Sequence, residues 1–310
     1  MHRASLVATG IIFFASCQSS VSRELREELR LESARTGLAL VGISGNGPVV
    51  IPFDDEERHL GGRVQQFLGV SKSGRSVIWW ESPKRLLATA RLKLEQTDGR
   101  RTIEIPRPAA ISSFLPRAAN DEANYLAFWG QDALQRGLFW MTLDGALGGF
   151  VSSLDQADGV CDWAPDGGRL AFEKDGRLFI YTVHNQATTD LVEGHNPTWS
   201  PDGRRIAFTS SDGKASVIRP DGTLETWVLG PHRPLSQMRW SPDGKYVAFA
   251  EQVPGEMKIP FLSVYSRLIV VRVSDGGILP VRDFGSESLG VGSFSWILDY
   301  PAFLAAQKPN

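Results

Sequence analysis

The amino-acid sequence predicts an all-β protein, a six-bladed β-propeller whose sixth blade is closed by two N-terminal plus two C-terminal strands. Three observations carry that expectation. The 31 Gly, 18 Pro and 9 Trp among 310 residues read as many tight turns with large aromatic side chains between them, the composition of many short strands. One short segment built around Pro-Asp-Gly recurs nearly unchanged. Its copies fall about 40 residues apart, the repeat length of four-stranded propeller blades.

Three copies nearly coincide: Asp162-Trp163-Ala164-Pro165-Asp166-Gly167, Trp199-Ser200-Pro201-Asp202-Gly203 and Trp240-Ser241-Pro242-Asp243-Gly244. In such a turn Pro presets φ, Asp tolerates the next position, and Gly supplies the positive φ that returns the chain. Each copy therefore reads as the end of one strand, a tight hairpin, and a return such as Ile206-Ala207-Phe208 whose alternate residues share a face. Residues 178–183 and 189–192 read as the third and fourth strands of the first of these units. Degraded copies run from Val70 to Trp79, from Phe114 through Tyr125 to Phe128, and from Trp296 to Leu304. That makes six. A four-stranded sheet of this size cannot bury both faces alone, and packing between neighbours solves the problem.

The last copy supplies two strands, residues 294–297 and 302–305. Residues 38–43 and 49–53, around the turn at Gly45-Asn46-Gly47, read as the third and fourth strands that complete it. Six units of ~44 residues fill 37–306, followed by a tail, 307–310.

The start of the chain is read apart from the fold. A weakly basic Met1-His2-Arg3 precedes an apolar run, 4–15, too short to span a bilayer as a mature helix. This is a signal-peptide pattern, 1–16. It ends in Phe14-Ala15-Ser16-Cys17, which resembles a bacterial lipobox with Phe14 in place of the usual Leu. Cys17 is then the lipidated N-terminus, and bacterial lipoproteins carry more than one acyl chain, enough for a lasting anchor. Gln18 is not the Asp that holds such proteins at the inner membrane, which favours the outer membrane. Residues 17–36 read as a solvated spacer, since Leu25, Leu29 and Leu31 are their few apolar residues in the charged stretch. Cys161, the other cysteine, reads as a small buried hydrophobe.

The Trp-Ser-Pro-Asp-Gly-Lys/Arg-x-x-Ala-Phe motif resembles the repeat of the TolB-type propellers, related in pattern to WD-type repeats. The resemblance implies an exported protein on the periplasmic side of the envelope. The family's namesake belongs to the Tol–Pal complex and has a small α/β domain before its propeller, and residues 18–36 have no room for one. The same repeat occurs in binding proteins, in peptidase propellers and in some lyases, so the site decides the function.

A formal charge of −2 gives no global field for nucleic acid. Gly42-Ile43-Ser44-Gly45 and Gly69-Val70-Ser71 do not complete a nucleophile elbow. Asp166, Asp202 and Asp243 read as turn formers. His59, His195 and His232 fall in loops on one face and are weak metal candidates at the central mouth, without ligand-like spacing. On that face the acidic Asp54, Asp55 and Glu56, and an insertion carrying Met257, Ile259, Phe261, Leu262 and Tyr265, read as a contact patch. The resulting expectation is a monomeric, non-catalytic lipoprotein without a cofactor, binding an envelope protein or a glycan. A metal-dependent, hydrolytic or lyase enzyme acting at the mouth is the alternative.

Overall fold

The computed structural model describes residues 5–44, 47–53, 58–59, 66–81, 91–155, 160–225, 234, 237–252, 266–284 and 294–306. After a helix, α1 (Ser5–Thr36), come β1 (Ala39–Ser44), β2 (Gly47–Ile51) and β3 (Arg58–His59). The strands β4 (Gln66–Val70), β5 (Ser76–Glu81), β6 (Arg91–Gln96) and β7 (Thr102–Ile105) form one antiparallel sheet. Another contains β8 (Ser113–Asn120), β9 (Tyr125–Gln131), β10 (Arg136–Thr142) and β11 (Leu147–Ser153).

The next sheet has seven strands: β12 (Cys161–Trp163), β13 (Arg169–Lys174), β14 (Arg177–Thr182), β15 (Ala187–Trp199), β16 (Ile206–Ser210), β17 (Ala215–Ile218) and β18 (Leu224–Glu225). The chain continues through β19 (Arg239–Trp240), β20 (Tyr246–Gln252), β21 (Ser266–Arg272) and β22 (Ile278–Phe284), again one sheet. It ends in β23 (Phe294–Ile297) and a helix, α2 (Tyr300–Ala306).

The all-β, propeller-like arrangement holds, but the expectation of six separate blades is corrected. The described strands form five hydrogen-bonded sheets, because β15 belongs to two repeats at once. Its first half pairs with β14, from Thr182↔Ala187 to Arg177↔Glu193, and its second half with β16, from Gly194↔Ser210 to Trp199↔Ile206. The repeats beginning at Trp163 and Trp199 are the most closely spaced, so no separate linker interrupts the strand. A register shift between His195 and Thr198, beside Asn196 at φ 57, takes up the bend. Around the axis, β4, β8, β12, the second half of β15, β19 and β23 are successive neighbours, and β23 returns to β4.

The hairpin turns behave as their chemistry requires. Gly167, Gly203 and Gly244 take φ of 70, 69 and 72. Asp202 accepts from the Ser200 hydroxyl at 2.5 Å and from the Arg204 backbone N–H at 3.0 Å. Asp243 does the same with Ser241 and Lys245.

Ring closure also differs from expectation. The sheet order β23-β1-β2-β3 joins one C-terminal strand to three N-terminal ones, and β1 and β2 are its second and third members. Leu40 lies opposite Trp296. Residues 302–305 are helical, not a strand. Pro301 has no N–H to give a ladder and suits the first turn of a helix, and Ala and Leu continue it well. Phe303 is fully buried among Ala39, Val41, Val50, Val77, Trp79 and Ile297, so α2 caps the sheet that the expected strand would have extended. The two chain segments cross at Gly37, whose carbonyl accepts from the Tyr300 N–H at 3.0 Å. Gly37 sits at φ 66, and a Cβ there would lie 2.6 Å from the Asp299 Cα.

The solvated spacer is likewise corrected. Leu25 and Leu29, one helical turn apart, are fully buried in the core shared with β20, β21 and β22, while Leu31 is exposed. Polar contacts fix the same face of α1. The Ser22 hydroxyl donates to Ile278 O at 2.7 Å, Tyr246 Oη to Glu28 at 2.6 Å, and Arg272 to Glu28 at 2.5 Å and Glu24 at 3.1 Å. Among the described residues no helix is long and apolar enough to cross a membrane.

Candidate functional site

The inner strands enclose a cavity of about 70 Å³ on the ring axis. The repeat itself aims side chains into it. The residue before the repeat Trp lines it in four copies, namely Asp162, Thr198, Arg239 and Ser295, and Lys72 and Arg117 come from the other two. With one face of each inner strand turned to its blade neighbours, the alternate residue is left facing the axis.

Lys72 occupies the turn position that Pro holds in the intact copies. Its Nζ reaches across the ring to Asp162 Oδ2 at 2.5 Å and to Trp199 O at 2.6 Å. Its own backbone N–H donates to Ala119 O at 3.1 Å. Asp162 Oδ2 also accepts from the Trp199 N–H at 2.8 Å and the Thr198 hydroxyl at 3.1 Å. The pair is well enclosed, with side chains 13% and 9% exposed. Burial holds the Lys72 ammonium below its ordinary pKa, an effect that Asp162 opposes. Burial also lowers the pKa of the Arg239 guanidinium, again against the pull of Asp162. Behind Asp162, burial pushes the Cys161 thiol up to about 12, as its reading as a buried hydrophobe requires.

The four Trp residues of the repeat divide into two kinds. Trp163 Nε1 donates to Ala118 O at 3.1 Å and Trp296 Nε1 to Arg239 O at 2.9 Å, each hooking a neighbouring inner strand. The indole N–H groups of Trp199 and Trp240, which line the cavity, are buried without a partner.

The expected site residues fare differently. His195 lies within β15 and not in a loop, with Nδ1 2.7 Å from Glu173 Oε1, while Glu173 Oε2 accepts from the Asn196 N–H at 3.0 Å. His59 ends β3. His232 lies outside the described residues, as do Asp54, Asp55, Glu56, Met257, Ile259, Phe261, Leu262 and Tyr265. Among the described residues no three His, Cys, Asp or Glu side chains gather as a metal site would need. The axial Lys72, Asp162 and Arg239 were missed by motif reading. Their signal was available as the position immediately before each Trp, together with a Lys where the repeat has Pro.

No family model matches the sequence, and no curated protein matches it. Solved structures do resemble the fold. TolB from Acinetobacter baumannii aligns with a TM-score of 0.58 at 16% identity, over 86% of this chain and 69% of that one. A protein assigned as TolB from Agrobacterium tumefaciens aligns with a TM-score of 0.52 at 14% identity, over 84% of this chain and 98% of that one. At these identities the likeness concerns the propeller fold.

Proposed function

We propose that this chain is an exported lipoprotein, anchored through Cys17, whose propeller presents a binding face to a protein partner on the periplasmic side of the envelope. The observation that carries the reading is the docking of α1. Cys17 lies in α1 five residues before Ser22, about 7.5 Å of helix rise from the first contact with Ile278. A lipid there would hold a rigid disc at a set distance from the bilayer, which suits presentation to another envelope component. The likeness to TolB structures supports the same reading. The seven-stranded sheet would fill two blade positions of the ring, so that the six sequence repeats keep six places around the axis. The contact patch would comprise the acidic loop at Asp54, Asp55 and Glu56 and the apolar insertion from Met257 to Tyr265. The outer membrane remains the favoured address.

Two experiments test this. Cys17→Ser should release the protein from membranes, and unchanged membrane association would sink the anchor. Crosslinking in intact cells should capture a protein that a Phe261→Ala/Tyr265→Ala variant, still folded, fails to capture. Equal capture by that variant would remove the patch from the proposal.

A further inference from the structure

The wall of the axial cavity is rich in donors and short of acceptors. Arg239 Nε is buried without a hydrogen-bond partner, and no described residue accepts from its guanidinium. Trp199 and Trp240, whose indole N–H groups are also buried without a partner, are among the lining residues. Asp162, which lines this cavity, has its Oδ2 taken by Lys72, Thr198 and the Trp199 N–H. Lys72 and Asp162 cancel in charge, and Arg117, also on the wall, has interactions of its own. Among the described residues the part-buried Arg239 guanidinium meets no acceptor and has only the longer-range pull of Asp162 against the cost of its burial.

We propose that the axial cavity binds one carboxylate, gripped by the Arg239 guanidinium. A planar carboxylate matches the guanidinium fork, and one surplus positive charge matches a monoanion better than a phosphate dianion. Size points the same way. One enclosed water needs about 10–15 Å³ of such volume, so about 70 Å³ admits a carboxylate with its adjoining carbon and excludes a sugar ring. Residues of the hairpin turns, Ser71, Gly74, Pro201 and Ser241 among them, line part of the cavity. Pro242 lines both it and a cleft of about 870 Å³ bounded by the end of α1, Gln96–Asp98 and Leu298–Pro301. A free small acid and the C-terminal carboxylate of a partner chain share this chemistry. The inference goes beyond the binding role above and does not depend on the anchor, so its failure would leave the crosslinking result untouched.

The test is thermal unfolding of the full-length protein in detergent, titrated with sodium acetate, with glycylglycine and with its C-terminal amide, at ionic strength held constant with sodium chloride. Acetate at ten times its Kd should raise the folding constant about elevenfold. Acetate and glycylglycine acting alike favour a free acid. Glycylglycine acting more strongly, with the amide inert, favours a chain terminus. Arg239→Met should abolish the response and, by removing a part-buried cation, leave the free protein at least as stable. Arg239→Lys, which keeps the charge and loses the fork, should fold normally and weaken acetate at least tenfold. No difference between acetate and chloride, a stronger response to inorganic phosphate than to acetate, or an unchanged response in Arg239→Lys would each overturn the proposal.

Discussion

Lys72 Nζ and Asp162 Oδ2 meet at 2.5 Å across the axis of the ring, joining the first inner strand to the third. The same ammonium holds Trp199 O on the opposite strand, so one side chain ties three inner strands together. Breaking a buried pair from one side leaves an uncompensated charge, and Asp162→Asn should cost about 3–5 kcal/mol in urea unfolding. Lys72→Met should cost less, because it also removes the ammonium's own desolvation. The double variant should be more stable than the sum of the two losses implies, and simple additivity would show that the contact carries no coupling.

Gly37 offers a backbone test of ring closure. Gly37→Ala combines a left-handed φ of 66 with a Cβ 2.6 Å from the Asp299 Cα, and should cost about 3 kcal/mol. Gly222→Ala at φ 88 meets open space and should cost about 1 kcal/mol. Equal losses in calorimetry would mean that the crossing of the two chain ends does not hold the ring together.

The docking of α1 predicts that Leu29→Ala destabilises by about 2–5 kcal/mol, the usual cost of emptying a packed site. Leu31→Ala, on the exposed face, should stay within about 0.5 kcal/mol. Hydrogen exchange should show residues 22–36 protected in the parent protein and released first in Leu29→Ala. Early exchange of this segment in the parent would restore the solvated spacer.

Cys161 gives a prediction about pH. With its thiol pKa at about 12 in the fold against about 8.5 in an unfolded chain, it should resist an aromatic disulfide reagent at pH 8 in the folded Cys17→Ser protein and react fully in denaturant. Below the unfolded pKa both states keep the proton, so the thiol adds no pH dependence there. As pH rises from about 8.5 to about 12 the unfolded chain ionises first, and stability falls. Cys161→Ala should remove that part of the alkaline loss, and an identical alkaline profile would refute the assignment.

What was legible in the sequence was local chemistry. Pro-Asp-Gly with its preceding Ser specifies a turn through bonds within five residues, and those turns appear where they were expected. Tertiary choices were not legible in the same way. Residues 302–305 have an apolar pattern that fits a short strand or one face of a short helix, and Pro301 tips the balance. Leu25 and Leu29 are too few to announce a buried face, and become one because Tyr246 and Arg272 reach across to Glu28. Asp162 and Arg239 come together only through closure of the ring, 77 positions apart in the chain, and no spacing rule connects them.

The order β23-β1-β2-β3 has a consequence for chain engineering. The first and last described strands, β1 and β23, pair within one sheet, so the ring is closed inside a structural unit and not between units. Circular permutants that rejoin the ends and open the chain between other sheets should be tolerated wherever neighbouring sheets are independent. The continuous β15 marks the exception: an opening within residues 187–199 would cut two repeats at once, and these two should be inherited, moved or lost only as a pair.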